Sequence, residues 1–195
     1  MGKASTTLET EGAYRPLCGR FCCAVCGHKV DAPLNAVRQV LGRLDLTLNE
    51  TKTRIVDARQ ESFNFLGFAI RVSKGWKSGK SYPHACPAAK SLAKIKQRIT
   101  QLTAREHTPI PLEDIVWSMN VTLLGWANYF HCRNSSVILG KVKTHAEERL
   151  RIHLMKRYKI KDRGIGLGRF PSQQLYTKYG LYKVPTTAGW KSAHA

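Results

Sequence analysis

Four cysteines, Cys18, Cys22, Cys23 and Cys26, fall within nine positions, and His28 follows two residues later. The spacing Cys23-x-x-Cys26-x-His28 suits a zinc ion, because thiolates in a reducing compartment bind metal more readily than they form disulfides. A closed site would take Cys18, Cys23, Cys26 and His28. A second ligand pair at finger spacing is missing, since Cys86 and Cys132 lie far along the chain. Zinc is therefore the alternative expectation, and no cofactor is the leading one. Phosphoryl transfer would need carboxylates that hold two metal ions. The adjacent acidic pairs Glu113-Asp114 and Glu147-Glu148 fall in helical patterns, where capping and ion pairing are the plainer roles. No nucleophile elbow, phosphate-binding loop or HExxH stretch is present. Gly164, Gly166 and Gly168 lie in RGIGLGR, where no strand precedes and no helix pattern follows, so a flexible basic turn is expected. His84, His107, His131, His145, His153 and His194 have no partnered carboxylate in the pattern. The chain is not expected to be an enzyme.

Positive charge is the stronger signal. The 195 residues carry 32 basic and 13 acidic side chains, a net +19. Residues 85–195 hold 19 basic against 6 acidic side chains, a net +13, so a polyanion is expected on the second half. The candidates for phosphate contact are Lys94, Lys96 and Arg98, then Arg133, Lys141, Lys143, Arg149 and Arg151, and finally Lys156, Arg157, Lys159, Arg163 and Arg169. His145 and His153 are read as part of the same face. No run of about eighteen apolar residues predicts a membrane span. The opening MGKASTTLETEG lacks a signal-peptide core, so a cytoplasmic location is the default and Asn49, Asn120 and Asn134 are not expected to be glycosylated.

These side chains need elements to position them. Leu112, Ile115, Val116, Met119, Leu123, Ala127 and Phe130 recur at steps of three and four, predicting a helix over 112–130 with Trp126 and Phe130 in the core. Leu92, Ile95, Ile99 and Leu102 predict a preceding helix over 88–104, opened by Pro87. Val142, Ala146, Leu150, Leu154 and Tyr158 make a narrow seam on a basic helix over 137–159, with Leu150 and Leu154 as core. Upstream, residues 32–44 predict a short amphipathic helix. A polar turn at 49–53 leads to a strand at 54–57, and FNFLGFAI predicts one apolar strand over 63–70. A turn at 74–80 returns the chain through 82–86, leaving a hairpin with an exposed edge that favours self-association or a partner. The predicted class is α+β, mainly α. Four regions follow: 1–31, atypical and poorly ordered; 32–87, a helix with a β-hairpin; 88–165, a basic helical bundle; and 166–195, a basic aromatic tail.

LLGWANYF, followed by Arg133, Ser135 and a second basic helix, resembles the maturase-specific region of group II intron proteins. LTLNETKT with Lys52, the FLGF of the hairpin, and RFPSQQLYTKYGLYKVP with Tyr176, Tyr179, Tyr182 and Pro185 are similar to further segments of that family, in its order. The likeness runs from about Ala32 to Pro185. It implies part of a reverse-transcriptase palm, then its thumb and a maturase domain that helps intron RNA fold and splice. It implies structured intron RNA as partner, with magnesium entering only through that RNA, and an upstream reverse-transcriptase fragment as a further partner. Codons for Arg15–Val25 can be chosen so that the next frame reads like the family's YADD metal-binding segment. The first residues are accordingly read as a frameshifted palm remnant that lacks the catalytic aspartates. A paired Cys/His nuclease module is not expected.

Overall fold

The computed structural model describes residues 31–49, 51–76 and 79–187 in full and residues 3–12 and 19–26 as backbone. The class is α+β, mainly α, and the chain divides into two units, Met1–Ala85 and Cys86–Ala195.

In the first unit, β1 (Lys3–Gly12) pairs antiparallel with β2 (Gly19–Cys26), from Lys3 opposite Cys26 to Thr10 opposite Gly19. The described backbone over 3–12 and 19–26 is extended. Thr6, Thr7 and Thr10 give β1 the branched residues that favour extended chain. After α1 (Asp31–Gly42), the other edge of β1 takes β3 (Leu46–Leu48) opposite residues 10–12 and β4 (Arg54–Val56) opposite residues 5–7. Asn49 turns the chain between these two short strands, its side chain accepting from the Lys52 amide at 3.1 Å.

FNFLGFAI is two strands rather than one. Leu66 and Gly67 have φ of 46° and 82°, which makes a two-residue turn of the hairpin kind. It joins β5 (Phe63–Phe65) to β6 (Phe68–Lys74), with Phe65 opposite Phe68. The unbroken apolar run hid this reversal. β7 (Ser81–Pro87) completes a three-stranded sheet on the far side of β6. Val56, Ala58 and Phe63 are buried together, with Phe65, Ile70 and Val72 packed against them.

The second unit is helical. α2 (Ala89–Leu102) buries Ile95 and Ile99, with Leu92 and Leu102 packed at the margins of the core. α3 (Leu112–Phe130) has the bounds its periodicity predicts and buries Ile115, Val116, Met119, Leu123, Ala127 and Phe130. Its opposite side exposes Trp117, Val121 and Leu124. α4 (Ser136–Arg157) buries Leu139 and His153 along with the expected Val142, Ala146, Leu150 and Leu154, whereas Tyr158 lies beyond its end and is half exposed.

RGIGLGR forms a helix, α5 (Arg163–Arg169), not the expected flexible turn. Glycine opposes helix formation, but Asp162 caps the first turn by accepting from the Ile165 amide at 2.8 Å. Gly166 lies close to α4, since a Cβ there would fall within 3 Å of the Met155 side chain, which would have to move to admit it. The boundary expected between 165 and 166 therefore lies inside a helix. The expected tail is part of the core. α6 (Ser172–Thr177) follows, and Phe170, Leu175, Leu181 and Val184 pack with Leu150 and Leu154 in one cluster. Asn120 on α3 fastens the final extended segment: its amide nitrogen donates to the Gly180 carbonyl at 2.8 Å, and its oxygen accepts from the Tyr182 amide at 2.7 Å.

Candidate nucleic-acid interface

α4 sits at the centre of the helical unit because its apolar residues meet α2 on one side and α5 and α6 on others. Its cations divide into two groups by direction. Arg149 turns toward the end of α2, donating from Nε to Thr103 Oγ1 at 3.0 Å and from Nη2 to the Thr100 carbonyl at 3.3 Å. The last carbonyls of a helix lack intrahelical donors and carry partial negative charge, so a guanidinium there serves both needs. Arg157 donates to the Thr108 and Ile110 carbonyls at 3.0 and 2.7 Å, holding the connection before α3. Arg151 donates to the Phe170 carbonyl at 2.9 Å and to Ser172 Oγ at 3.1 Å, fixing the junction of α5 and α6. One helix thus reaches two connections, between α2 and α3 and between α5 and α6, with three arginines.

The remaining candidates are placed differently. Lys141 and Lys156 on α4, and Lys94 and Arg98 on α2, are exposed. Lys96 and Lys143 are half-buried, with Lys143 Nζ 3.9 Å from Glu147. Arg163 pairs with Glu148, and Arg169 lies 5.5 Å above the Tyr158 ring. Arg133 and Lys159 are exposed in the turns after α3 and α4, both with positive φ. Of the residues expected in the core, Leu123, Leu150 and Leu154 are fully buried and Phe130 nearly so. Trp126 is only partly buried and lies against Phe130, ring centres 4.6 Å apart.

The histidines do not join a phosphate face. His145 Nε2 lies 3.1 Å from the Lys96 carbonyl and 3.2 Å from Thr100 Oγ1, against α2. Burial is the main cause that lowers its pKa, with Lys96 and Arg149 adding to the effect. His153 is fully buried, and neither ring nitrogen makes a hydrogen bond of good geometry among the described residues, although the Thr103 backbone lies near enough to favour the charged form in part. Burial lowers its pKa too, helped by Arg157, Lys156 and His107. Both rings favour the neutral form, because charging them would strand a cation in a poorly solvated place. Periodicity could have shown this, since His153 stands three residues after Leu150 and seven after Ala146 on the apolar side of the helix.

Glu147 is also structural. It accepts from Tyr176 Oη and from Ser172 Oγ, the latter at 2.7 Å, and so ties α6 to α4. Burial, followed by the hydrogen bond to Glu147 and its charge, pushes the Tyr176 phenol well above the usual range. These contacts, like those of Asn120, have no pattern in the sequence that announces them. Among the described residues no three His, Cys, Asp or Glu side chains cluster as metal ligands. Cys18 and His28 lie outside the described residues, as do the side chains of Cys23 and Cys26, and the frameshifted segment falls on the same stretch. No helix of the described residues is long and apolar enough to cross a membrane.

α2 and α3 leave a groove of about 480 Å³ between them. Lys94 and Arg98 stand on its α2 side, with Gly125, Trp126 and Phe130 on its α3 side.

Residues 92–169 match the family model described as group II intron, maturase-specific domain. The match spans most of α2 and all of α3, α4 and α5, and it supports a maturase domain over that stretch. Comparison with curated proteins finds no match.

Proposed function

We propose that the helical unit binds structured group II intron RNA and assists its folding and splicing, without polymerising nucleic acid itself. The observation that carries this reading is that the maturase match falls on the helices bearing Lys94, Arg98, Lys141 and Lys156 outward. Cations that face solvent repel one another and cost folding free energy, while a phosphate backbone turns the same repulsion into attraction. The protein's part is then to neutralise phosphates where RNA strands approach closely. Magnesium belongs to the bound RNA in this scheme, and the chemistry of splicing to the RNA itself.

The test is a filter-binding titration of a folded group II intron transcript against the full chain at several salt concentrations. Affinity should fall by roughly 0.9 log units per log unit of salt for each duplex phosphate neutralised. A slope of several units is expected for this many outward cations. A flat response, or no binding at low salt, overturns the reading.

A further inference from the structure

The groove between α2 and α3 differs from the rest of the basic surface. Two cations, Lys94 and Arg98, border it one helical turn apart, and no carboxylate lines it. Neither cation has an ion-pair partner among the described residues. The facing side is aromatic, with the Trp126 ring held in place by its contact with Phe130. Gly125 stands between these features inside the last third of a 19-residue helix. Only proline is a worse helix former, so glycine here works against α3. Packing does not require it, because a Cβ at Gly125 would meet nothing within 4 Å. What the missing side chain leaves is open space beside Trp126, on the side that faces Lys94 and Arg98.

We propose that this groove receives one unpaired nucleotide of the bound RNA, its base against Trp126 and its flanking phosphates on Lys94 and Arg98. This rests on the RNA-binding reading and adds a preference to it. Bases present a π-face whatever their identity, so an aromatic wall with cations at its lip selects for an unstacked base rather than a sequence. A volume of about 480 Å³ suits one nucleotide and not a duplex. Ser91 and Thr122 also line the groove, the Thr122 hydroxyl donating to the Ser118 carbonyl at 2.8 Å.

The experiment compares two short RNA duplexes, one fully paired and one with a single bulged 2-aminopurine. The full-length protein should bind the bulged RNA about tenfold more tightly, with a change in 2-aminopurine emission as the base stacks. Gly125→Leu fills the groove and replaces a poor helix former with a good one. It should raise Tm, keep the affinity for the paired duplex, and abolish both the preference and the emission change. Equal affinity of the wild type for the two RNAs overturns the inference and leaves the RNA-binding reading standing. So does a bulge preference that survives Gly125→Leu. Failure to bind either RNA at low salt overturns both.

Discussion

The seam where α4 meets α2 and the groove where α2 meets α3 are bordered by similar cations with opposite duties. At the seam, Arg149 donates to the end of α2, and further along α4 Arg157 holds the next connection. At the groove, Lys94 and Arg98 are exposed and form no ion pair with a described residue. Formal charge therefore does not measure capacity for RNA. Orientation decides whether a cation stabilises the fold or remains available to a ligand. The first way to break the comparison is to neutralise each kind. Arg149→Met should cost about 1.5–3 kcal/mol in urea denaturation and Arg157→Met less, since Arg149 leaves buried and half-buried acceptors behind while one of the carbonyls held by Arg157 is exposed. The folded variants should keep the salt slope of RNA binding. Lys141→Gln with Lys156→Gln should do the reverse, lowering the slope by up to roughly 0.9 per cation while stability stays within about 0.5 kcal/mol. Equal effects from the two pairs would remove the distinction.

A similar contrast separates two glycines of α5. Gly166→Ala should change stability by less than about 1 kcal/mol, because its gain in helix propensity is offset by the movement the new methyl group forces on the flexible Met155 side chain. Gly168→Ala meets nothing within 4 Å and should stabilise by up to about 1 kcal/mol through helix propensity. Thermal unfolding should raise Tm clearly for Gly168→Ala and little or not at all for Gly166→Ala if α5 packs on α4 as described. Equal increases would mean that α5 is not held there.

The division was only half legible in the sequence. The bounds and buried side of α3 were readable because seven apolar residues keep step with the helix over its whole length. The work of Arg149, Arg151 and Arg157 was not, since their partners are mostly backbone carbonyls up to 49 residues away, and a carbonyl has no identity in a sequence. The hairpin at Leu66-Gly67 was hidden by apolar residues on both sides of the turn. α5 was hidden by its glycines, although Asp162 three residues before Ile165 was a capping signal. The groove depends on how two helices pack, so only Gly125 inside LLGWANYF hinted at it.

The buried ring of His153 extends the contrast to pH. Its native pKa is depressed from 6.5 by burial, so below that value the unfolded chain binds the proton that the folded chain refuses. Stability from this group is complete above pH 6.5 and declines as pH falls toward the depressed native value, by at most about 1.4 kcal/mol per pH unit. His145 and His84, also lowered by burial, act with the same sign. His153→Leu should flatten the decline in denaturation midpoints between pH 7 and 5 without altering RNA affinity at neutral pH. An unchanged decline would mean that this ring binds its proton equally in the folded and unfolded chains.

Lys159 combines an exposed charge with a strained backbone position. α4 ends with the Ile160 amide donating to the Met155 carbonyl at 2.8 Å and the Lys159 amide to the Lys156 carbonyl at 3.2 Å. This closure places Lys159 at φ 55°, the left-handed position that helices usually give to glycine. A lysine there is strained, yet its side chain is exposed beside Lys156 on the outward face. Lys159→Gly should relieve the strain and stabilise by about 0.5–1 kcal/mol, while removing a cation and lowering RNA affinity. Lys159→Gln removes the cation and keeps the strain, so it should lower affinity equally with almost no change in Tm. If both variants leave affinity and salt slope untouched, Lys159 is not a phosphate contact, and the outward face ends at Lys156.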